Sequence, residues 1–263
     1  MINSITIDAS GAELLYEEMP NKTKGSLVIC AGGAYVWLSP REEWPVARDF
    51  ARAGYQCYIL KYSVGMEKAP LGKTPLKQLA IAVAKVRAIA QEKGNPSFTA
   101  VCGFSAGGHL AATLGVHWDD DTLGLGLSKE AIRPDALILS YAATELHDFD
   151  GQDFVKCLCG DDEALYEYLE VTRYISNNTP PTFLWHTVHD EEVSIRASMQ
   201  FMNALISNGV FAELHVFPQG VHGMSLATPD VDDVQKNRIA NPHLASWSEL
   251  CKQWLEIVQS EKL

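Results

Sequence analysis

Gly103-Phe104-Ser105-Ala106-Gly107 follows the apolar run Phe98-Thr99-Ala100-Val101-Cys102 and precedes a helix-compatible stretch. A serine between two glycines at such a junction has the spacing of a sharp strand-to-helix turn. Its neighbours must be small because the backbone bends tightly and a larger side chain would strike the following helix. A helix starting near Ala106 also brings free backbone N–H groups and a positive dipole end to the serine oxygen. Five residues of this kind recur by chance, so the reading depends on the rest of the chain.

Working outward, short apolar runs at Ser26–Ala31, Gln56–Tyr62, Phe98–Gly103, Ala136–Tyr141, Thr182–Thr187 and Ala212–Phe217 read as strands. Several are apolar throughout, as strands covered on both faces are. Between them, Arg41–Ala53, Pro75–Lys93, Ala106–His117 and Val193–Ser207 read as helices, with Gly54, Gly94 and Gly209 at their C-terminal stops. In His243–Ser260, residues Leu244, Trp247, Cys251, Trp254, Leu255 and Val258 share one helical face. The alternation predicts an α/β fold with a mostly parallel central sheet flanked by helices on both faces. Ser4–Glu18, with a turn signal at Ser10-Gly11, predicts an antiparallel hairpin at the sheet edge. No linker divides residues 1–263, so one domain is expected, with a small acidic, tyrosine-rich excursion at about 142–181.

A serine hydroxyl becomes nucleophilic only when a base takes its proton, and the base needs a third group to orient it. His222, in Gly220-Val221-His222-Gly223, lies on a glycine-flanked loop after the last strand and is the expected base. His117, His147, His215 and His243 read as structural or solvent-facing, and His109, one helical turn past Ser105, as packed beneath the turn. His186 and His189 are rivals flanking the acid loop. Asp190 comes first after the strand ending at Thr187 and is the expected acid; Glu191 and Glu192 follow directly and stay open as alternatives, and Asp190 could instead cap the next helix. The run Leu27–Ala31 leads into Gly32-Gly33-Ala34-Tyr35, where small residues let backbone N–H groups approach a developing oxyanion. Gly33, Ala34 and Ala106 are the expected donors. Tyr35 and Trp37 are expected to contact substrate and close the acyl side of the pocket, the alternative being that they pack in the core.

With these residues in view, the chain resembles the α/β-hydrolase fold esterases, specifically the small bacterial acetyl-esterase and acetylxylan-esterase-like group related to hormone-sensitive-lipase-type enzymes. The resemblance is carried by Val28–Tyr35, Tyr58–Val64, Gly103–His109, Pro180–Thr187 and Gly220–Gly223. It implies that Ser105 is the nucleophile, Asp190 the acid and His222 the histidine, with Gly33 and Ala34 in the oxyanion loop. Three positions depart from the pattern: Ala31 replaces a histidine or proline, Ala34 replaces a third glycine, and Val193 is followed by Ser194 rather than proline.

The net charge of -12 disfavours nucleic acid and anionic membranes as partners, and a small-molecule ester fits better. An apolar fraction of 47% and a charged fraction of 21% are ordinary for a globular chain. No signal-like start or membrane-length apolar run is present, so a cytoplasmic location is expected. Cys30, Cys57, Cys102 and Cys251 read as buried free thiols, and Cys157-Leu158-Cys159 lacks the second pair that a metal site needs. No cofactor and no metal is expected, and a homo-oligomer is compatible with the sequence. The expected activity is a serine carboxylesterase acting on short, chiefly acetyl, esters of carbohydrates or other small alcohols. The alternatives are a peptidase or amidase on the same fold and a catalytically silent binding protein.

Overall fold

The computed structural model describes residues 1–149 and 152–261. Asp150 and Gly151, inside the expected 142–181 excursion, and Lys262 and Leu263 lie outside the described residues. Eight strands form one sheet: β1 (Ile2–Thr6), β2 (Glu13–Glu17), β3 (Gly25–Cys30), β4 (Tyr55–Lys61), β5 (Thr99–Phe104), β6 (Ala136–Ser140), β7 (Thr182–Thr187) and β8 (Ala212–Phe217). Their spatial order is β1-β2-β4-β3-β5-β6-β7-β8. The β1–β2 and β2–β4 pairings are antiparallel, and every pairing from β4 through β8 is parallel. This is the α/β-hydrolase fold, with the expected hairpin at its edge.

The helices are α1 (Trp44–Arg52), α2 (Thr74–Glu92), α3 (Ala106–His117), α4 (Lys129–Ile132), α5 (Asp153–Cys159), α6 (Glu163–Leu169), α7 (Ile195–Ser207) and α8 (Pro242–Glu261). Strand alternation sorts them into two layers. Val28 and Cys30 of β3 join a core with Leu79, Val83 and Val86 of α2, Leu110 and Leu114 of α3, and Phe201 and Leu205 of α7. Leu27 and Ile29 of the same strand join the opposite core, with Phe50 of α1 and Leu244, Trp247, Cys251, Trp254, Leu255 and Val258 of α8. The α8 stripe is the face expected from its spacing. Each large buried aromatic, such as Trp247 or Trp254, removes about 150–250 Å² from water and contributes up to roughly 4–6 kcal/mol. All six cysteines are free and buried.

Two helix starts differ from expectation. Arg41–Ala53 divides into a 3-10 turn, Pro40–Glu42, and α1, because Glu43 between them is non-helical at φ -103, ψ -101. The helix expected from Val193 begins at Ile195, where Ser194 Oγ accepts the Arg196 N–H as the cap. Asp190 therefore does not cap this helix.

Candidate active site

Ser105 ends the β5-to-α3 turn at φ 51, ψ -118, a positive-φ conformation sparsely populated by L-residues that costs about 1–3 kcal/mol. Space forces the small neighbours. A Cβ on Gly103 would lie 2.1 Å from the Gly107 carbonyl oxygen, and one on Gly107 would lie 2.1 Å from the Cys30 carbonyl oxygen. The turn thus packs against the end of β3, the strand that leads into the glycine loop.

His222 Nε2 stands 2.8 Å from Ser105 Oγ, and its Nδ1 stands 2.7 Å from Asp190 Oδ2. Because the carboxylate must accept, Nδ1 carries the proton and Nε2 is left to accept from the serine hydroxyl. Asp190 does more than face the imidazole. Its Oδ1 accepts the N–H groups of Glu192 and Val193 at 3.0 and 2.8 Å, closing the loop after β7, and its Oδ2 also takes His186 Nε2 at 3.2 Å. His186 is fully buried, bonded through Nδ1 to Ser198 Oγ, and does not reach Ser105. Burial raises the Asp190 carboxyl, but the hydrogen bonds from His186 and His222 outweigh it and hold it well below the usual carboxylate range. Glu191 and Glu192 line the cavity mouth and make no contact with His222 within hydrogen-bond reach.

The histidine loop is held from behind. Arg238 Nε donates to the His222 carbonyl at 2.8 Å, and Arg41 Nη1 donates to the Gly223 carbonyl at 2.6 Å. Sequence reading missed both arginines, since neither sits near a motif.

After β3 the chain turns through Gly33, Ala34 and Tyr35, all at positive φ (130, 54 and 57). Val36 N–H and Trp37 N–H return to the Gly33 carbonyl at 2.9 and 3.1 Å. Among the described residues the N–H groups of Gly33, Ala34 and Ala106 donate to no protein acceptor. Ala34 shares a cavity of about 620 Å³ with Ser105 and His222.

The expectation that Tyr35 and Trp37 wall this cavity is corrected. Tyr35 is 1% exposed; its hydroxyl donates to His109 Nδ1 at 2.9 Å, and its ring packs on Phe154 at 5.5 Å. Trp37 is 48% exposed and lines no part of the cavity. The turn at positive φ swings both side chains away from Ser105, and the apolar wall comes instead from Phe149 and Phe154 of the excursion. His109 lies beneath the elbow, bonded to Tyr35 and to the Leu169 carbonyl at 2.9 Å, and burial pulls its pKa down to about 4.

Glu42 also went unmarked in the sequence. It is buried, with its Oε2 accepting Gly32 N–H and its Oε1 accepting the Tyr141 hydroxyl, both at 2.7 Å. Among the described residues, Glu145, His147 and Glu170 bring three metal-ligating atoms within 4.8 Å of one another. The two Glu170 oxygens accept the Leu146 and His147 N–H groups and one Glu145 oxygen accepts the Thr172 hydroxyl, so the carboxylates clasp the start of the excursion to its later turn at Val171–Tyr174.

A model of the BD-FAE family matches residues 15–205. The chain belongs to the BD-FAE family. It is 31% identical, over 211 residues, to endo-1,4-beta-xylanase B of Butyrivibrio fibrisolvens, covering 78% of this chain and 33% of that protein. To an acetylxylan esterase of Xylanibacter ruminicola it is 24% identical over 226 residues, covering 80% of this chain and 43% of the relative. The chain thus spans less than half the length of these two curated relatives. Among solved structures, an acetyl ester-xyloside bifunctional hydrolase from Caldicellulosiruptor lactoaceticus superposes with a TM-score of 0.77 at 31% identity, covering 96% of this chain and 90% of that one. A sugar hydrolase from Lactococcus lactis gives 0.83 at 29% identity, with 99% of each chain covered. Among the described residues of this BD-FAE member, no helix is long and apolar enough to cross a membrane.

Proposed function

We propose that this BD-FAE member is a serine carboxylesterase that removes short acyl groups, acetyl above all, from carbohydrate or other small alcohol esters. The observation that carries the reading is the unbroken hydrogen-bond chain Ser105–His222–Asp190, of which Ser105 and His222 line the cavity. His222 Nε2 takes the hydroxyl proton as Ser105 Oγ forms a bond to the ester carbonyl carbon; the carbonyl π electrons move onto its oxygen. The free N–H groups of Gly33, Ala34 and Ala106 receive that charge. The carbonyl re-forms, the alkoxy leaving group departs with the proton from His222, and the acyl group stays on Ser105. Water, deprotonated by His222, then releases the carboxylic acid and restores the serine. Asp190 keeps the proton on Nδ1 throughout and stabilises the imidazolium.

Small residues, Ala34 and Ala143, line the cavity with Ser105, and Phe149 and Phe154 supply bulky apolar wall to the same cavity, which supports a short acyl group. The carbohydrate alcohol rests on what the relatives are named for, an acetylxylan esterase and an acetyl ester-xyloside hydrolase. The test is labelling by a fluorophosphonate followed by a panel of acetylated xylo-oligosaccharides, other acetylated sugars and aryl amides. Labelling at Ser105 with turnover of the acetylated sugars is expected. No labelling indicates a silent binding protein, and turnover of the amides alone indicates an amidase.

A further inference from the structure

The oxyanion turn and the histidine loop come from distant parts of the chain, yet one carboxylate links them, bonding the turn directly and reaching the loop through Tyr141. Glu42 Oε2 accepts the N–H of Gly32, the residue that opens the turn, at 2.7 Å. Gly32 itself abuts the elbow, since a Cβ there would lie 2.9 Å from Ser105 Cβ. Glu42 Oε1 accepts the Tyr141 hydroxyl at 2.7 Å, and that hydroxyl oxygen in turn accepts Ser225 N–H at 3.0 Å, three residues past His222. The Tyr141 ring meets the His222 ring edge-on at 5.0 Å. Ser225 Oγ closes the circuit by donating to the Arg41 carbonyl at 2.6 Å, next to Glu42.

Glu42 is only 3% exposed, and among the described residues no lysine, arginine or histidine nitrogen comes within ion-pair distance of it. A buried carboxylate without an ion-pair partner opposes folding, and its two acceptor bonds are what offset that cost. The carboxylate holds the backbone N–H on one oxygen and the phenol on the other, so both oxygens act as acceptors.

We infer that Glu42 is a positioning residue, which through Gly32 and Tyr141 holds the oxyanion turn and the His222 loop in register around Ser105. The inference rests on the esterase reading of Ser105. It assigns to Glu42 an effect on the transition state more than on substrate binding, because a small displacement of N–H donors or imidazole costs rate while the cavity walls stay in place.

Glu42→Gln keeps the size but can accept only one of the two donors, and Tyr141→Phe removes a single oxygen. Each variant, and the pair together, is assayed with an acetyl aryl ester and with a fluorophosphonate, beside the Ser105→Ala protein. Expected are a kcat lowered by about tenfold to a hundredfold in each single variant, a KM within about threefold of the parent, and phosphonylation slowed in parallel with kcat. The double variant should lose little more than the worse single one, because the two residues act as a unit. A lowered melting temperature with kcat unchanged in the folded protein shows a merely structural carboxylate and overturns the inference. So does full additivity of the two losses. Should Glu42→Gln fail to fold, the Tyr141→Phe split between kcat and KM decides alone. Turnover persisting in Ser105→Ala sinks the parent reading instead, whereas an inactive Ser105→Ala beside a normal Glu42→Gln and Tyr141→Phe sinks only this one.

Discussion

Asp190 and His222 are joined by a 2.7 Å hydrogen bond from Nδ1 to Oδ2, while the other Asp190 oxygen holds the backbone of its own loop. The same side chain thus sets the imidazole tautomer and the shape of the loop that presents it. Asp190→Asn should lower kcat by about four orders of magnitude, because the amide favours the wrong tautomer, whereas Glu191→Gln and Glu192→Gln should stay within a few-fold of the parent. Steady-state kinetics on an acetyl aryl ester checks this, and a crippled Glu191 or Glu192 variant beside an active Asp190→Asn would move the acid.

Ser105→Ala should abolish ester turnover by about four to six orders of magnitude and prevent covalent labelling, with the fold retained. Alanine also relieves nothing of the positive φ at this position, so the melting temperature should change little. Intact-mass analysis after fluorophosphonate treatment reads the labelling directly, and any adduct in the variant places the nucleophile elsewhere.

Acyl preference should peak at two or three carbons in the parent protein. In Phe149→Ala the peak should move to longer chains, since each added methylene that gains apolar wall contributes about 0.8 kcal/mol, roughly fourfold in kcat/KM. Aryl esters from two to ten carbons provide the series. A parent maximum at eight or ten carbons would contradict the short-acyl reading while leaving the triad intact.

Gly107→Ala should destabilise the protein by about 3 kcal/mol, lowering Tm by roughly 6–12 °C, as its Cβ would press on the Cys30 carbonyl. Calorimetry on the purified variant tests it, and an unchanged Tm would mean that the β3–α3 contact is looser than drawn.

His109 is held neutral by burial, its pKa pulled from the usual histidine value of 6.5 to about 4. Its folded value lies below its unfolded one, so the unfolded chain binds more protons between them. The stability this neutral group permits is complete above pH 6.5 and is lost progressively as the pH falls towards 4, by an amount of order 3 kcal/mol. Urea unfolding across this window should show a shallower pH dependence in His109→Gln than in the parent. Equal slopes would assign the acid sensitivity to other groups.

The strand–helix alternation, the apolar stripe of α8, the elbow at Ser105 and the loop positions of Asp190 and His222 were all legible in the amino-acid sequence. Each is written in local periodicity or in residue size at a turn, and such signals act within a few residues. Ser105 and His222 are 117 residues apart, and only the packing of parallel strands β5 and β8 on either side of β6 and β7 brings their atoms within 2.8 Å. That Tyr35 turns into the core and Trp37 towards solvent was not legible, because it follows from three successive positive φ angles that a Gly-Gly-Ala-Tyr run permits but does not require. Nor could Glu42, Tyr141, Arg41 and Arg238 be singled out. Their roles depend on which buried donors and acceptors lack a partner once the sheet has closed, and hydrogen bonding across 99 residues, as between Glu42 and Tyr141, leaves no trace in local pattern.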